Sequence, residues 1–439
     1  MQMVSHSITP VLLLAAQLAW AQPVGSNPET GESNGSAAPG PPSAQPRPGA
    51  RRVLTLAEAL AAADQYNPQL EVAAARVEGA RAGILTAEAY PNPELSFGSM
   101  GRQRAIQLGT LPGMLHGFTL SQPVELPSVR RARIGAAQLA RESSQFALEE
   151  SRLMVRALVK QAYFDTLRRR EEIELARENL RLLDDLRRRL RVQVEVGEAS
   201  RLELTRAEAE VAAARIQFQS AEMRYSTALA ALHSAVGAPL GDIEPQDRFD
   251  SPAPLRPLEE LIDEVVAKHP AISEVEAETK RAAAHLSLER ALKTPQPTVW
   301  SDVLEQPDVA QYRFGVSVTL PLWNRRQGPI AEAVAAERRA AAVTRLRKLE
   351  ITAALERAYG QYKIAQQQVE MFEAGSIQQA EAALRGAEAA YKFGERGILE
   401  VLDAQRVLRS ARMDYVNAQF DRQQALIELE RLGAIDLRR

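Results

Sequence analysis

The chain has 439 residues, of which 25% are charged and only 5% are aromatic, and its formal net charge is −2. A balance so close to neutrality gives no sign of a nucleic-acid partner, so we expect none. The sequence contains no cysteine, which excludes disulfides, thiolate metal ligands, a cysteine nucleophile and a lipidated amino-terminal cysteine. From Leu54 onward, alanine, leucine, glutamate, arginine and glutamine dominate, a composition that favours long helices.

The first fifty residues divide into two segments. A short apolar run at residues 11–18 is followed by Ala19-Trp20-Ala21, a pattern that predicts a cleaved signal peptide over residues 1–21. The apolar run is too short to span a bilayer as a helix. Residues 22–50 are rich in proline, glycine, serine and asparagine, and we expect this segment to be disordered.

The rest of the chain contains two copies of one unit. GEASRLELTRA begins at Gly197 and GERGILEVLDA begins at Gly394, an offset of 394 − 197 = 197 residues. Other matched phrases keep nearly the same offset, so we predict repeats at residues 51–238 and 258–434. The segment at residues 239–257, which holds five prolines, is predicted to be the linker between them.

Each unit begins with a helix of about thirty residues that ends at a Pro-x-Pro break. A β-hairpin follows, at residues 93–124 in the first unit and 296–322 in the second. The clearest strand is at residues 312–320, where Tyr, Phe, Val, Val and Leu alternate with Arg, Gly, Ser and Thr. The chain is therefore predicted to supply four strands, each with one apolar face.

Each hairpin then leads into a very long helix. Pro127 and Pro329 suit the first helical position, and no proline occurs at residues 128–196, which corresponds to ~100 Å of helix. After each Gly-Glu phrase, apolar residues recur every three or four positions with alanine at nearly every d-type position. The predicted seam of the first unit is Leu204, Ala207, Val211, Ala214, Phe218, Ala221, Tyr225, Ala228, Leu232 and Ala235. Adding 197 gives the seam of the second unit, in which Arg422 is the one polar member. The phrases at residues 197–200 and 394–397 are then the tips of two antiparallel coiled-coil hairpins.

Four strands with one apolar face suggest a membrane barrel, because an open sheet leaves unpaired edges. Four strands are too few to close a barrel, so several chains must contribute, each with its helices on one side of the membrane. Phe314, Val316 and Val318 are expected to face lipid, and Arg313, Ser317 and Thr319 are expected to face the lumen.

These features resemble the TolC family of outer-membrane efflux proteins, and the likeness covers residues 54–434. FGERGILEVLDAQ at residues 393–405 is similar to the family's Gly-x-x-x-x-x-(acid)-Val-Leu-Asp-Ala signature. SQPVELPSVRRARIGAA (121–137) and SVTLPLWNRRQGPIAEA (317–333) resemble the outer-membrane components of cobalt–zinc–cadmium resistance pumps. The resemblance implies a homotrimer whose twelve-stranded barrel continues into an α-helical tunnel in the periplasm. It also implies a periplasmic adaptor and an inner-membrane pump of the resistance-nodulation-division class.

Two sets of candidate site residues follow from the tips. The predicted adaptor-docking surface is Gly197, Glu198, Ala199, Gly394, Glu395, Arg396 and Gly397. The resemblance also implies a tunnel gate at Glu400 and Asp403, which match the family's acidic gate positions and lie three residues apart on one helix face; Glu203 and Arg206 are at the equivalent positions of the first unit. In a trimer each acid becomes a ring of three charges that favours cations. An ordinary solvated helix face is the alternative interpretation.

The sequence gives no sign of an enzyme, a cofactor or a structural metal site. The five histidines show no ligand spacing, and no nucleophile–base arrangement or phosphate-binding glycine loop occurs. Two alternatives to metal efflux remain at this point. One is a channel for drugs or organic solutes. The other is a periplasmic coiled-coil scaffold, which explains the heptads but neither the export signal nor the strands.

Overall fold

The computed structural model describes residues 52–103, 113–249, 255–307 and 309–435, so the predicted signal peptide and residues 22–50 lie outside the described residues. The helices are α1 (Leu56–Tyr66), α2 (Pro68–Glu88), α3 (Pro127–Glu195), α4 (Arg201–Val236), α5 (Leu258–Lys268), α6 (Pro270–Ala291), α7 (Gln327–Met371), α8 (Ile377–Lys392) and α9 (Ile398–Arg431). The strands are β1 (Arg52–Leu54), β2 (Glu94–Gln103), β3 (Gly113–Pro123), β4 (Ile243–Pro245), β5 (Pro297–Glu305) and β6 (Ala310–Val318).

The two units have the same order of elements: two helices, a β-hairpin, a long helix and a return helix. The single helix expected at the start of each unit is in fact divided in two. Asn67 and His269 adopt extended backbone angles because each precedes a proline. Each then caps the next helix: the side chain of Asn67 accepts from the amide of Gln69, and His269 Nδ1 accepts from the amide of Ala271.

The four longer strands form one antiparallel sheet in the order β2-β3-β5-β6. Phe97, Phe118, Val303 and Tyr312 pair across all four strands, and in the next row Ser96, Thr119, Asp302 and Arg313 do so. The first row belongs to an apolar face, which also carries Phe314, Val316 and Val318. The second belongs to a polar face, on which Asp302 accepts from Thr119 Oγ1 at 2.8 Å and forms an ion pair with Arg313.

The sheet therefore has the two faces that the sequence predicts, although Thr319 lies one residue beyond the end of β6. Within the described residues, β2 and β6 are edge strands with no further neighbour. Besides the four predicted strands, β1 pairs in parallel with β4, which lies inside the segment expected to be a linker.

The long helices pack as the heptads predict. α3 runs for 69 residues without interruption. Nearly all d-type alanines of the α4 seam are buried, among them Ala207, Ala214 and Ala221, and the α9 seam is likewise half-buried or buried throughout. Arg422, the polar member of the second seam, is only 4% exposed. In the described part of the chain, no helix is both long enough and apolar enough to cross a bilayer.

One long helix is broken in only one of the two units. A π-helical turn at Phe372–Ser376 separates α7 from α8, and within it Gly375 has a φ of 135°. The equivalent stretch of the first unit, residues 175–179 by the offset of 197, is regular α3 helix. The second hairpin thus has an internal bend that the first lacks.

Candidate functional site at the helical tips

The two tips share one backbone geometry. Gly197 and Gly394 both have positive φ, 83° and 75°, which glycine adopts without a steric cost. The amide of Glu198 donates to the carbonyl of Gln193 at 2.7 Å, and the amide of Glu395 donates to the carbonyl of Ala390 at 2.9 Å. Together with the glycine amides, these bonds form a Schellman motif that satisfies the last carbonyls of α3 and α8.

The predicted docking residues are accessible at both tips. Glu198, Glu395, Arg396 and Gly397 are exposed, and Ala199 is half-buried. Four apolar side chains beside them, which were not among the predicted docking residues, are also exposed: Val196 (63%), Phe393 (77%), Leu202 (57%) and Leu399 (53%). They form two pairs with the repeat offset, since 393 − 196 = 197 and 399 − 202 = 197. That coincidence was the signal that could have identified them.

The two hairpins pack together just behind the tips. Ile398, Val401 and Leu402 of α9 form a buried cluster with Leu183, Leu190, Ala207, Val211 and Ala214 of α3 and α4. The hydroxyl of Tyr391 lies 3.1 Å from Oε1 of Gln193 and joins the second tip to the first. Burial, followed by the nearby charge of Glu203, raises the pKa of the Tyr391 phenol, so it remains a neutral donor.

The four predicted gate residues differ in their surroundings. Glu203 belongs to a capping box with Ser200 at the start of α4, so its carboxylate accepts from the backbone there. Glu400 pairs with Arg396 at 2.9 Å. Asp403 and Arg206 are exposed, and within the described residues neither has an ion-pair partner.

Within one chain Glu203 is occupied by helix capping, and Glu400 is paired with Arg396, which lies four residues earlier in the tip, before the start of α9. Glu400 and Asp403 are both exposed near the start of α9.

Further ion pairs join the hairpins farther from the tips. Arg412 of α9 contacts Glu381 of α8 at 2.9 Å and Glu178 of α3 at 3.1 Å. The Glu381 and Glu178 carboxylates raise the pKa of Arg412 further above its usual range. Arg406 of α9 contacts Glu210 of α4 at 2.9 Å. The first hairpin is thus held to the second by charged contacts that sequence spacing did not indicate.

The described residues contain no group of three histidine, cysteine or acidic side chains that could hold a metal ion. His116 lies on β3, His233 and His285 lie on α4 and α6, and His269 caps α6.

The comparisons with known proteins agree with this architecture. A family model described as outer membrane efflux protein matches residues 59–238 and 261–433, which together are most of the chain. The chain belongs to the outer membrane efflux protein family. It is accordingly a transport component of the outer membrane with a periplasmic helical tunnel, and not an enzyme.

Two curated relatives and one solved structure illustrate the relationship. This outer membrane efflux protein is 28% identical to the cobalt-zinc-cadmium resistance protein CzcC of Cupriavidus metallidurans, over 86% of the chain and 90% of CzcC. It is 24% identical to the pyoverdine export outer membrane protein OpmQ of Pseudomonas aeruginosa, over 82% of the chain and 81% of OpmQ. Its fold matches the CmeC outer membrane channel of Campylobacter jejuni with a TM-score of 0.75 and 17% identity, covering 86% of the chain and 85% of CmeC.

Proposed function

We propose that this protein is the outer-membrane exit duct of a tripartite assembly that exports divalent metal cations. In this proposal three copies close a twelve-stranded barrel, a periplasmic adaptor binds the tips, and an inner-membrane resistance-nodulation-division pump supplies the energy. Supporting the trimer, the sheet has one apolar face, one polar face and two edge strands that need partners. The scaffold alternative leaves this two-faced sheet without a purpose.

The proposed cargo rests on the relationship to CzcC. The two proteins are similar along nearly their whole lengths, and CzcC is named for resistance to cobalt, zinc and cadmium. Exposed acids near the tips, Glu400 and Asp403, agree with a cationic cargo because rings of carboxylates raise the local concentration of cations. The duct needs only a hydrated path, since a tight metal site would slow release.

Growth of a deletion strain tests the cargo. The strain is complemented with the wild-type chain or an empty plasmid and challenged separately with zinc, cobalt, cadmium and a panel of organic toxicants and chelators. We expect the wild-type chain to restore tolerance to at least one of the metals and to lower its accumulation in cells. Rescue confined to organic compounds would instead favour the second candidate, an organic-solute duct, which the similarity to the pyoverdine exporter OpmQ suggests.

Docking at the tips is proposed from their geometry. Each tip is a reversal of the chain fixed by a Schellman motif. The first tip presents Glu198 and Ala199 beside the exposed apolar side chains Val196 and Leu202. The second presents Glu395 and Arg396 beside Phe393 and Leu399. A partner hairpin of the adaptor can pack on Val196, Phe393, Leu202 and Leu399 while its polar groups meet Glu198, Glu395 and Arg396. These surfaces repeat between the two tips, so one adaptor hairpin type fits both.

The test of docking uses glycine variants that differ only in backbone angle. Gly197→Val with Gly394→Val places β-branched residues at positive φ, which costs ~1–2 kcal/mol at each site and deforms the tip. Gly360 and Gly386 lie inside α7 and α8 without positive φ and with open space around them, so Gly360→Val with Gly386→Val is the matched control. We expect the double variant to lose efflux and adaptor cross-linking while its trimers persist in the membrane. Loss of the trimers themselves would assign the tips to folding instead.

A further inference from the structure

The end of the sheet nearest the helices carries an unusual set of exposed side chains. The alternation of β6 continues past its last residue, because Leu320 and Leu322 are 66% and 59% exposed like Val318 before them. Trp323 follows at a bend and is 90% exposed. On the other edge strand, Tyr90 precedes β2 and is 69% exposed. Exposed aromatic side chains therefore lie at both edges of the sheet, at the same end of its strands.

Cations outnumber acids at this end of the sheet, where Glu88 and Glu94 also lie. Two arginines at this level are neutralised, since Arg133 pairs with Glu125 and Arg326 pairs with Glu289. The other cations have no ion-pair partner within the described residues; they are Arg130, Arg131, Arg290, Lys293 and Arg325. The guanidinium carbon of Arg130 lies 4.1 Å from the centroid of the Tyr90 ring, which orients its charge beside the aromatic group. This end of the sheet therefore combines exposed aromatic rings with unneutralised cations.

The position of these aromatic and basic side chains relative to the apolar face indicates which part of the bilayer they contact. A strand of nine residues, such as β6, spans the hydrocarbon core when it is tilted. Side chains just beyond its end then lie at the level of the lipid headgroups, where tryptophan and tyrosine are favoured. Arginine binds phosphate there with paired hydrogen bonds, which a lysine point charge cannot form.

We propose that Arg130, Arg131 and Arg325, together with Tyr90 and Trp323, form a binding site for the headgroup of an anionic phospholipid in the periplasmic leaflet. The arginines hold the phosphate, and the two rings lie against the glycerol and the start of the acyl chains. Arg290 and Lys293 add to the local positive potential, which favours a headgroup with net negative charge over a zwitterionic one.

The strand order places the two halves of this site next to each other in an assembled barrel. Tyr90 and Arg130 lie by the β2 edge, and Trp323 and Arg325 lie by the β6 edge. When β2 of one copy pairs with β6 of the next, the halves meet across the boundary between copies. The lipid then contacts both copies, so it also stabilises their association. This site rests on the proposed trimer and on the bilayer position of the sheet, and it is independent of the proposed cargo.

The experiment compares lipid preference in two triple variants of the full-length protein. Arg130→Gln/Arg131→Gln/Arg325→Gln removes three charges from the proposed site. Arg201→Gln/Arg215→Gln/Arg357→Gln removes three exposed and equally unpaired charges from the helices far from the sheet. Each protein is placed in nanodiscs of phosphatidylcholine with an equal share of phosphatidylglycerol, and the lipids retained on release from the disc are counted by native mass spectrometry.

We expect the wild-type protein and the control variant to retain phosphatidylglycerol over phosphatidylcholine. In the site variant that preference falls about fivefold for each arginine removed. The single variant Arg325→Gln gives a smaller version of the same loss, and because Arg325 makes no hydrogen bond within the described residues, this variant assembles even where the triple variant does not. Inorganic phosphate added in solution leaves the retained lipid in place, because it lacks the acyl chains that the aromatic side chains contact.

Three results would overturn the proposal. They are an unchanged preference in both site variants, an equal loss in the control variant, and displacement of the lipid by inorganic phosphate. Metal tolerance of the cells is measured in parallel, so that failure of the lipid site and failure of the proposed cargo give separate readings.

Discussion

Replacing Val316 by arginine tests which face of the sheet meets the lipid. Val316 is 63% exposed on the apolar face and lies two residues from Phe314, the middle of β6. At ~3.3 Å per residue, this places it about 7 Å along the strand from the middle, still well inside the hydrocarbon. An arginine on the lipid face costs ~2–4 kcal/mol at the midplane and less toward the interfaces, so we expect about 2–3 kcal/mol per copy. In the proposed trimer the three copies add to about 6–9 kcal/mol, enough to oppose assembly.

The adjacent residue provides the matched control. Ser317 is also exposed, but it lies on the polar face opposite Thr298, where an arginine stays hydrated. We expect Ser317→Arg to change the free energy of unfolding by less than about 0.5 kcal/mol, as for an ordinary surface substitution. The measurements are urea titration of the protein refolded into vesicles and the yield of heat-modifiable oligomer in the outer membrane. Equal behaviour of the two variants would refute the assignment of the faces.

Three further predictions concern the gate, the helices and the sheet. The double variant Glu400→Gln/Asp403→Asn should weaken cation selectivity and block by multivalent cations in single-channel recordings, while folding is unchanged because exposed charges contribute little to stability. Burial and a neighbouring carboxylate raise the pKa of Glu274, so its contribution to stability is present at acid pH and is lost as pH rises through the folded-state pKa. Glu274→Gln should therefore raise the melting temperature at pH 7.5 and leave it unchanged at pH 4. A Cβ on Gly315 would lie 2.4 Å from the ring of Trp300, so Gly315→Ala should cost ~1–3 kcal/mol and reduce the yield of assembled protein.

Each of these has a control within the chain. Glu395→Gln removes an exposed tip charge outside the proposed gate, and a selectivity loss as large as that of the gate variant would contradict the gate. For Glu274, an equal rise in melting temperature at both pH values would show that the variant acts through packing. Gly98 has open space around its Cα, so Gly98→Ala should be harmless. Trp300→Leu should relieve the defect of Gly315→Ala, and persistence of the defect would point to backbone strain.

The features that the sequence predicted best are those fixed by periodic patterns. The repeat, the strand alternation around Phe314 and the alanine seam of α4 each follow from many residues acting together, so a local exception such as the buried Arg422 did not obscure them. The bend at Gly375 was missed for the opposite reason. Gly360 and Gly386 also lie within predicted helices and remain in regular helical segments, so a glycine by itself does not indicate where a helix breaks.

The charged residues of the candidate gate each have several possible hydrogen-bond or ion-pair partners, and their surroundings depend on which of these they contact. The spacing of Ser200 and Glu203 is a capping-box pattern, and it could have indicated that Glu203 is engaged with the backbone. Arg396 and Glu400 are likewise only four residues apart, so an ion pair between the tip and the first turn of α9 is within reach. Contacts such as that of Arg412 with Glu178 join residues 234 positions apart, so they depend on how the hairpins pack and not on local spacing.

The two edge strands have a consequence for how cells must make this protein. Each edge presents a row of backbone amides and carbonyls that find no partner within the described chain, and in hydrocarbon each such group costs several kcal/mol. For the proposed trimer we therefore expect a lone copy to be unstable inside the bilayer, and insertion to be coupled to association at a rate that depends steeply on the local concentration of copies. We expect a copy with a defective edge to be more harmful than a missing one, because it would enter the proposed trimers and prevent their closure. In a cell that makes both wild-type and variant copies, the fraction of trimers with three intact copies equals the cube of the wild-type fraction of copies. Edge mutations should therefore be dominant.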